Sequence, residues 1–164
     1  MPFPGRKLFG GSTILAMVIA LGFCASSLAA QKTNFDLAGE TITFPAPTAA
    51  DYTTGWINST AGVTFNINSQ NGVARTTTVS IRATSPTLGN GKPIGELQWR
   101  RSDLATWNSI TITDAQVEQR LVINKGLNDP WGNTIFFRML LDWTKDGPGT
   151  YTATYQLTLS QTVP

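Results

Sequence analysis

Apolar and polar side chains alternate with a period of two along most of this chain, which is the signature of half-buried β-strands rather than helices. Val63, Phe65 and Ile67 alternate with Thr64 and Asn66, and the pair Asn71-Gly72 that follows favours a tight hairpin. From Val73 to Ala83, Val79 and Ile81 point one way and Thr78, Ser80 and Arg82 the other, and the run Thr76-Thr77-Thr78 suits a pleated surface. Pro86, Gly89, Gly91, Pro93 and Gly95 then mark a loop from Ser85 to Gly95. Leu97 and Trp99 share one face of the next strand, with Glu96, Gln98 and Arg100 on the other. Trp107, Ile110 and Ile112 belong to a further strand, and Val117, Leu121 and Ile123 continue the inward pattern between Ala115 and Asn124.

Gly126, Pro130 and Gly132 predict a second loop, Asn124 to Asn133. The strongest strand is expected at Thr134 to Trp143, where Ile135, Phe137, Met139, Leu141 and Trp143 form one face. Phe136 and Leu140 make its second face partly apolar, which places it centrally in a sheet. After the turn Lys145 to Gly149, Tyr151, Ala153, Tyr155, Leu157 and Leu159 alternate strictly with Thr152, Thr154, Gln156 and Thr158. No amphipathic helix is evident. Seven or eight strands at this spacing predict an all-β fold, an antiparallel β-sandwich of Ig-like or pilin-like type. A closed barrel is the alternative architecture.

The N-terminus follows a different rule. Arg6 and Lys7 precede a short apolar run, Ile14 to Phe23, and small residues follow at Ala25 to Ser27, Ala29 and Ala30. That order is a secretory signal peptide over residues 1–30, and the run is too short for the roughly 20 residues that span a bilayer. Cys24 is expected to leave with the leader, because the bulky Phe23 before it does not suit lipoprotein cleavage. The mature chain is expected to be secreted, periplasmic or on the cell surface, with no membrane span. Residues 31–48 form an N-terminal extension or edge strand, since Pro45 and Pro47 cut off the strand candidate Thr41 to Phe44. Residues 49–164 form the sandwich domain.

Loss of the leader changes the charge balance. Of 12 Lys+Arg, Arg6 and Lys7 are removed, and the ten that remain match 10 Asp+Glu. A neutral domain does not predict nucleic-acid binding. The mature chain has no Cys and no His, so it holds no disulfide, no Ser-His-Asp triad, no Cys nucleophile and no His/Cys zinc site. Gly89-Asn90-Gly91-Lys92-Pro93 lacks the helix that a phosphate loop needs. Glu40, Glu96 and Glu118, the only glutamates, fall on outward positions or near a strand start, which suits solvated surface better than a catalytic pair. The expectation is a non-enzymatic protein without a cofactor or a metal.

The five tryptophans divide by position. Trp99 and Trp143 lie on inward faces and are expected in the core. Trp56, Trp107 and Trp131 sit nearer loops or strand ends, where indole rings cap a sandwich, stack on sugar rings or anchor a protein partner. These three are the candidate ligand-binding residues. Arg100 does not share the face of Trp99, and Asn58-Ser59-Thr60 fits a glycosylation acceptor.

The leader, the Thr-rich strands and the final strand Gly149-Thr150-Tyr151-Thr152-Ala153-Thr154-Tyr155 resemble small exported bacterial pilin-like proteins, including spore-coat-protein-U-like and fimbrial subunits. Trp99-Arg100-Arg101-Ser102-Asp103-Leu104 and Asn133-Thr134-Ile135-Phe136-Phe137-Arg138 look like stretches of uncharacterised exported bacterial proteins. Export together with a sandwich that lacks catalytic residues, on a neutral and polar surface, leads to the expectation of a structural or adhesive cell-surface protein, a filament or coat subunit that meets copies of itself or other cell-surface proteins by strand addition. Asn34 to Phe44 is the candidate donor strand, with Phe35, Leu37 and Gly39 on one face. The competing expectation is a module that binds carbohydrate, or another ligand, through the loop tryptophans.

Overall fold

The computed structural model describes residues 32–38, 42–70, 74–122 and 129–164. The leader with Cys24, the Asn71-Gly72 turn and Gly39 lie outside the described residues. The fold is an all-β sandwich of antiparallel sheets that do not close into a barrel. The first layer is built from β1 (Lys32–Ala38), β3 (Trp56–Asn58), β4 (Val63–Gln70), β6 (Leu97–Arg101), β7 (Asn108–Ser109) and β9 (Asp129–Leu140). Its order is β1-β4-β9-β6-β7, and β3 pairs with β9 beyond the end of β4. The second layer holds β5 (Arg75–Ala83) between β8 (Ala115–Val122) and β11 (Tyr155–Thr162), with a separate pair formed by β2 (Ile42–Phe44) and β10 (Tyr151–Ala153).

One core joins the layers. Phe65, Ile67, Leu97, Ile135, Phe137 and Met139 from the first meet Val79, Ile81, Tyr155 and Leu157 from the second. The rings of Phe137 and Tyr155 lie 5.6 Å apart across the interface. Each buried side chain of this size contributes roughly 1.5–3 kcal/mol, so the alternating faces account for the assembly without disulfides.

Eleven strands appear among the described residues, more than the expected seven or eight, because long runs divide where they change partners. The C-terminal run breaks at Thr154: β10 pairs with β2 and β11 with β5. The Thr154 carbonyl accepts from the Thr84 amide at 3.1 Å at this corner. The segment Asn34 to Phe44 also divides. β1 pairs with β4 of its own chain, Phe35 opposite Ile67 and Leu37 opposite Phe65, and takes the edge of the first layer. β2 instead buries Ile42 and Phe44 in the core.

Several expectations need correction. A short helix α1 (Ala49–Thr54) forms where none was expected. Thr48 and Asp51 make a reciprocal capping box, and Gly55 ends the helix with φ +84°, a conformation glycine adopts freely. The run from Asp129 to Asn133 is strand, not loop. Gly132 is required there because a Cβ would sit 2.3 Å from the Phe65 carbonyl oxygen on β4, and Pro130 lies where β9 has one strand neighbour among the described residues. β9 ends at Leu140, so Trp143 is not in the core. It is 61% exposed and stacks on Tyr52 at 4.5 Å. The strand expected around Trp107, Ile110 and Ile112 shrinks to the two residues of β7. Ile110 is buried, but Ile112 is exposed.

Leu121 and Glu118 are exchanged relative to the sequence pattern. Val79 pairs with Glu118 but Ser80 with Gln116, so Val117 is an extra, bulged residue. A bulge shifts the alternation by one position. Beyond it Leu121 turns outward, 56% exposed, and Glu118 turns inward, 5% exposed. Arg120 Nε reaches Glu118 at 2.7 Å, and Arg101 approaches it at 3.7 Å, so the buried carboxylate is compensated.

Candidate functional site

The outer face of the first layer carries the most distinctive surface. Register decides which side chains meet there. Trp56 lies opposite Leu140 and Asn58 opposite Arg138 in the β3–β9 pair, while Gln98 lies opposite Arg138 and Arg100 opposite Phe136 in the β6–β9 pair. Their in-between neighbours Ile57, Trp99, Phe137 and Met139 are buried, so this set faces outward. Trp107, at the end of the connection from β6 to β7, folds back over the same face.

The result is an alternating ladder of rings and cations. The Arg138 guanidinium lies 5.6 Å from the Trp56 ring and 4.5 Å from the Trp107 ring. The Arg100 guanidinium lies 5.1 Å from Trp107 and 5.2 Å from Phe136. Each contact of this kind is worth about 0.5–1 kcal/mol at an exposed site, and together they hold the side chains apart in a fixed order. Arg138 Nε donates to Gln98 Oε1 at 2.7 Å. Arg100 donates to the carbonyls of Leu104 at 2.9 Å and Arg101 at 3.3 Å, which also fixes the loop that carries Trp107. Between these groups runs a groove of about 460 Å³, completed by Asn58 and Ser59. That volume falls within the usual range of small-ligand sites, about 300–1,000 Å³.

Two of the three tryptophans singled out by sequence therefore converge. Trp131 does not join them. It lies within β9 rather than at a loop, only 6% exposed, edge-on to Phe65 at 6.1 Å with the Arg120 guanidinium 5.0 Å over its ring. It faces the core because Ile67 is its cross-strand partner. Phe35 and Leu37 lie on β1, opposite Ile67 and Phe65 of β4, whereas the groove is framed by β3, β6 and β9. Arg100, Arg138 and Phe136 were not singled out as site residues. Their signal was present in the outward alternation of Phe136 and Arg138, but the pairing of β6 with β9 was needed to place Arg100 beside them.

Two further polar clusters are internally satisfied. Lys92, buried between two loops, donates to both carboxylate oxygens of Asp146 at 2.7 Å and to Glu96. Burial pushes the Lys92 ammonium toward a lower pKa, but its hydrogen bonds to Asp146 and Glu96 outweigh this and raise it above the usual 10.5. Asp103 pairs with Arg101 and accepts from Asn133 Nδ2 at 3.0 Å. The Arg101 hydrogen bond is the main reason its carboxyl is held down at about 2. No group of three or more metal-ligating side chains occurs among the described residues. No helix among them is long and apolar enough to cross a membrane.

No protein family, curated protein or solved structure matches the chain.

Proposed function

We propose that this protein is an exported, non-enzymatic adhesive or ligand-binding protein of the cell surface, and that it binds carbohydrate in the groove between Trp56 and Trp107. The observation that carries the reading is the convergence of these two indoles, from β3 and from the β6–β7 connection, on one outward face. Guanidinium groups already lie over both indoles, but Trp56 and Trp107 are each only half-buried, so part of each ring stays open to the apolar face of a pyranose. The same cation–ring contacts fix the rings before binding. Asn58 and Ser59 at the rim supply neutral hydrogen-bonding groups for hydroxyls. Export follows from the N-terminal pattern of Arg6, Lys7 and the Ile14 to Phe23 run. The test is a glycan array with the mature protein, followed by titration of tryptophan fluorescence. Binding that Trp107→Ala abolishes while the fold is retained supports the reading, and a blank array with unchanged fluorescence refutes it.

A second reading, assembly by strand addition, draws support from β1. This strand sits at the sheet edge and pairs only with β4 among the described residues, so an equivalent strand of another copy would occupy the same register. The exchangeable unit is then Lys32–Ala38 and not the whole of Asn34 to Phe44, since Ile42 and Phe44 belong to the core. Deletion of residues 31–38 is expected to abolish concentration-dependent assembly in size-exclusion chromatography. A protein that stays monomeric at high concentration with these residues intact rules this reading out.

A further inference from the structure

We infer that the Trp56–Trp107 groove selects a carboxylate-bearing pyranose, a uronic-acid unit of an acidic polysaccharide, with Arg100 and Arg138 as its anion-binding residues. The inference rests on the carbohydrate reading above and names the class of sugar. Its first support is charge. Arg82, Lys92, Arg101, Arg120 and Lys145 each meet a carboxylate at ion-pair distance. Arg75, Arg100 and Arg138 meet none among the described residues; of these three, Arg100 and Arg138 line the groove, and no acidic side chain lines it with them. Their hydrogen-bond acceptors are a neutral amide and two backbone carbonyls. Two positive charges thus line one groove without local compensation, although the mature chain as a whole is formally neutral.

Geometry supplies the second support. The guanidinium carbon of Arg138 lies over the Trp56 and Trp107 rings, and that of Arg100 over the Trp107 and Phe136 rings. A guanidinium over a ring still bonds through its N–H edges, which match the two oxygens of a carboxylate, although one terminal nitrogen of Arg100 already donates to the Arg101 and Leu104 carbonyls. Among the described residues Arg138 donates through Nε alone, which leaves both terminal nitrogens to meet a carboxylate. A pyranose with an equatorial carboxylate presents the same combination, an apolar ring face beside an in-plane anion. A neutral hexose satisfies the rings but leaves the two cations unpaired.

The test compares oligogalacturonate with its fully methyl-esterified form, titrated calorimetrically into the mature protein. Esterification removes the charge and keeps the sugar ring, so the comparison does not depend on any variant folding. The acid is expected to bind about ten-fold or more tightly than the ester, with affinity falling as salt rises. Arg100→Gln and Arg138→Gln are expected to bring the acid close to the ester, while Lys145→Gln, outside the groove, leaves the ratio unchanged. Equal binding of acid and ester overturns the anion inference and leaves the carbohydrate reading standing. Failure of both to bind, with a blank array, removes both readings. A sulfated oligosaccharide that binds tightly while the uronate does not overturns the assignment to a carboxylate.

Discussion

Replacing Lys92 with Met should be among the most damaging single changes in this domain, although Lys92 lies in a loop and touches no part of the groove. Its side chain is 2% exposed and that of Asp146 5%, and the ammonium bonds both carboxylate oxygens at 2.7 Å. Methionine fills most of the volume but leaves Asp146 buried without its counter-charge. Losing one partner of a buried pair costs about 3–5 kcal/mol. The Asp142 amide still donates to Asp146 at 2.8 Å, which places the expected loss toward the lower end. The damage extends beyond the pair, because the carbonyls of Asp146 and Gly147 accept from the Tyr52 hydroxyl, and that of Gly147 from Tyr151. Against a total stability of about 5–15 kcal/mol, urea unfolding should show a clearly lower midpoint with an unchanged slope. Adding Asp146→Asn to Lys92→Met removes the stranded charge, so the double variant should be more stable than the sum of the single losses implies. A Lys92→Met protein within 1 kcal/mol of the parent, or strict additivity in the cycle, would show that the pair is effectively solvated and refute the argument.

Three further outcomes are expected. Asp103 and Asp142 are held at about 2 against an ordinary 3.8, chiefly by hydrogen bonds from Arg101 and Thr144 respectively. Their contribution to stability is therefore complete above pH 3.8 and disappears as the pH falls through about 2; Asp103→Asn should flatten the fall in melting temperature over this window. Gly132→Ala forces a Cβ against the Phe65 carbonyl and should cost about 1–3 kcal/mol or more in denaturant unfolding, whereas an undiminished midpoint would mean that β4 and β9 can separate freely. Truncation after Gly149 removes the buried Tyr151, Tyr155 and Leu157, at roughly 1.5–3 kcal/mol each, and exposes the edge of β5. It should abolish soluble folded protein, while Thr152→Lys or Thr154→Lys on the exposed face is tolerated; a truncated chain that still melts cooperatively would show that β10 and β11 are peripheral.

Local alternation was enough to establish the all-β class, the inward set Phe65, Ile67, Val79, Ile81, Ile135, Phe137 and Leu157, and the outward direction of Arg100 and Arg138. These are readable from sequence because a pleated strand sends successive side chains to opposite faces whatever it pairs with. Proline and glycine were less dependable. Gly132 signals a turn in isolation, yet here it permits a close approach between two strands. The capping pattern of Thr48 and Asp51 was present in the sequence, but the helix it starts is too short to show a periodic face.

Pairing and register were decided only by the tertiary structure. The Val117 bulge exchanged the faces of Leu121 and Glu118, because a single extra residue inverts an alternation that carries no mark of its own origin. Trp131 and Trp107 both stand near loop-forming residues in the sequence, and only the pairing of β9 with β4 buries the first while the path from β6 to β7 lays the second across Arg100 and Arg138. The chain by itself determined which residues each strand offers to its two faces; contacts between strands distant in sequence decided that Trp56, Arg138, Trp107 and Arg100 would stand in one row, since cross-strand neighbours are set by register and not by spacing along the chain.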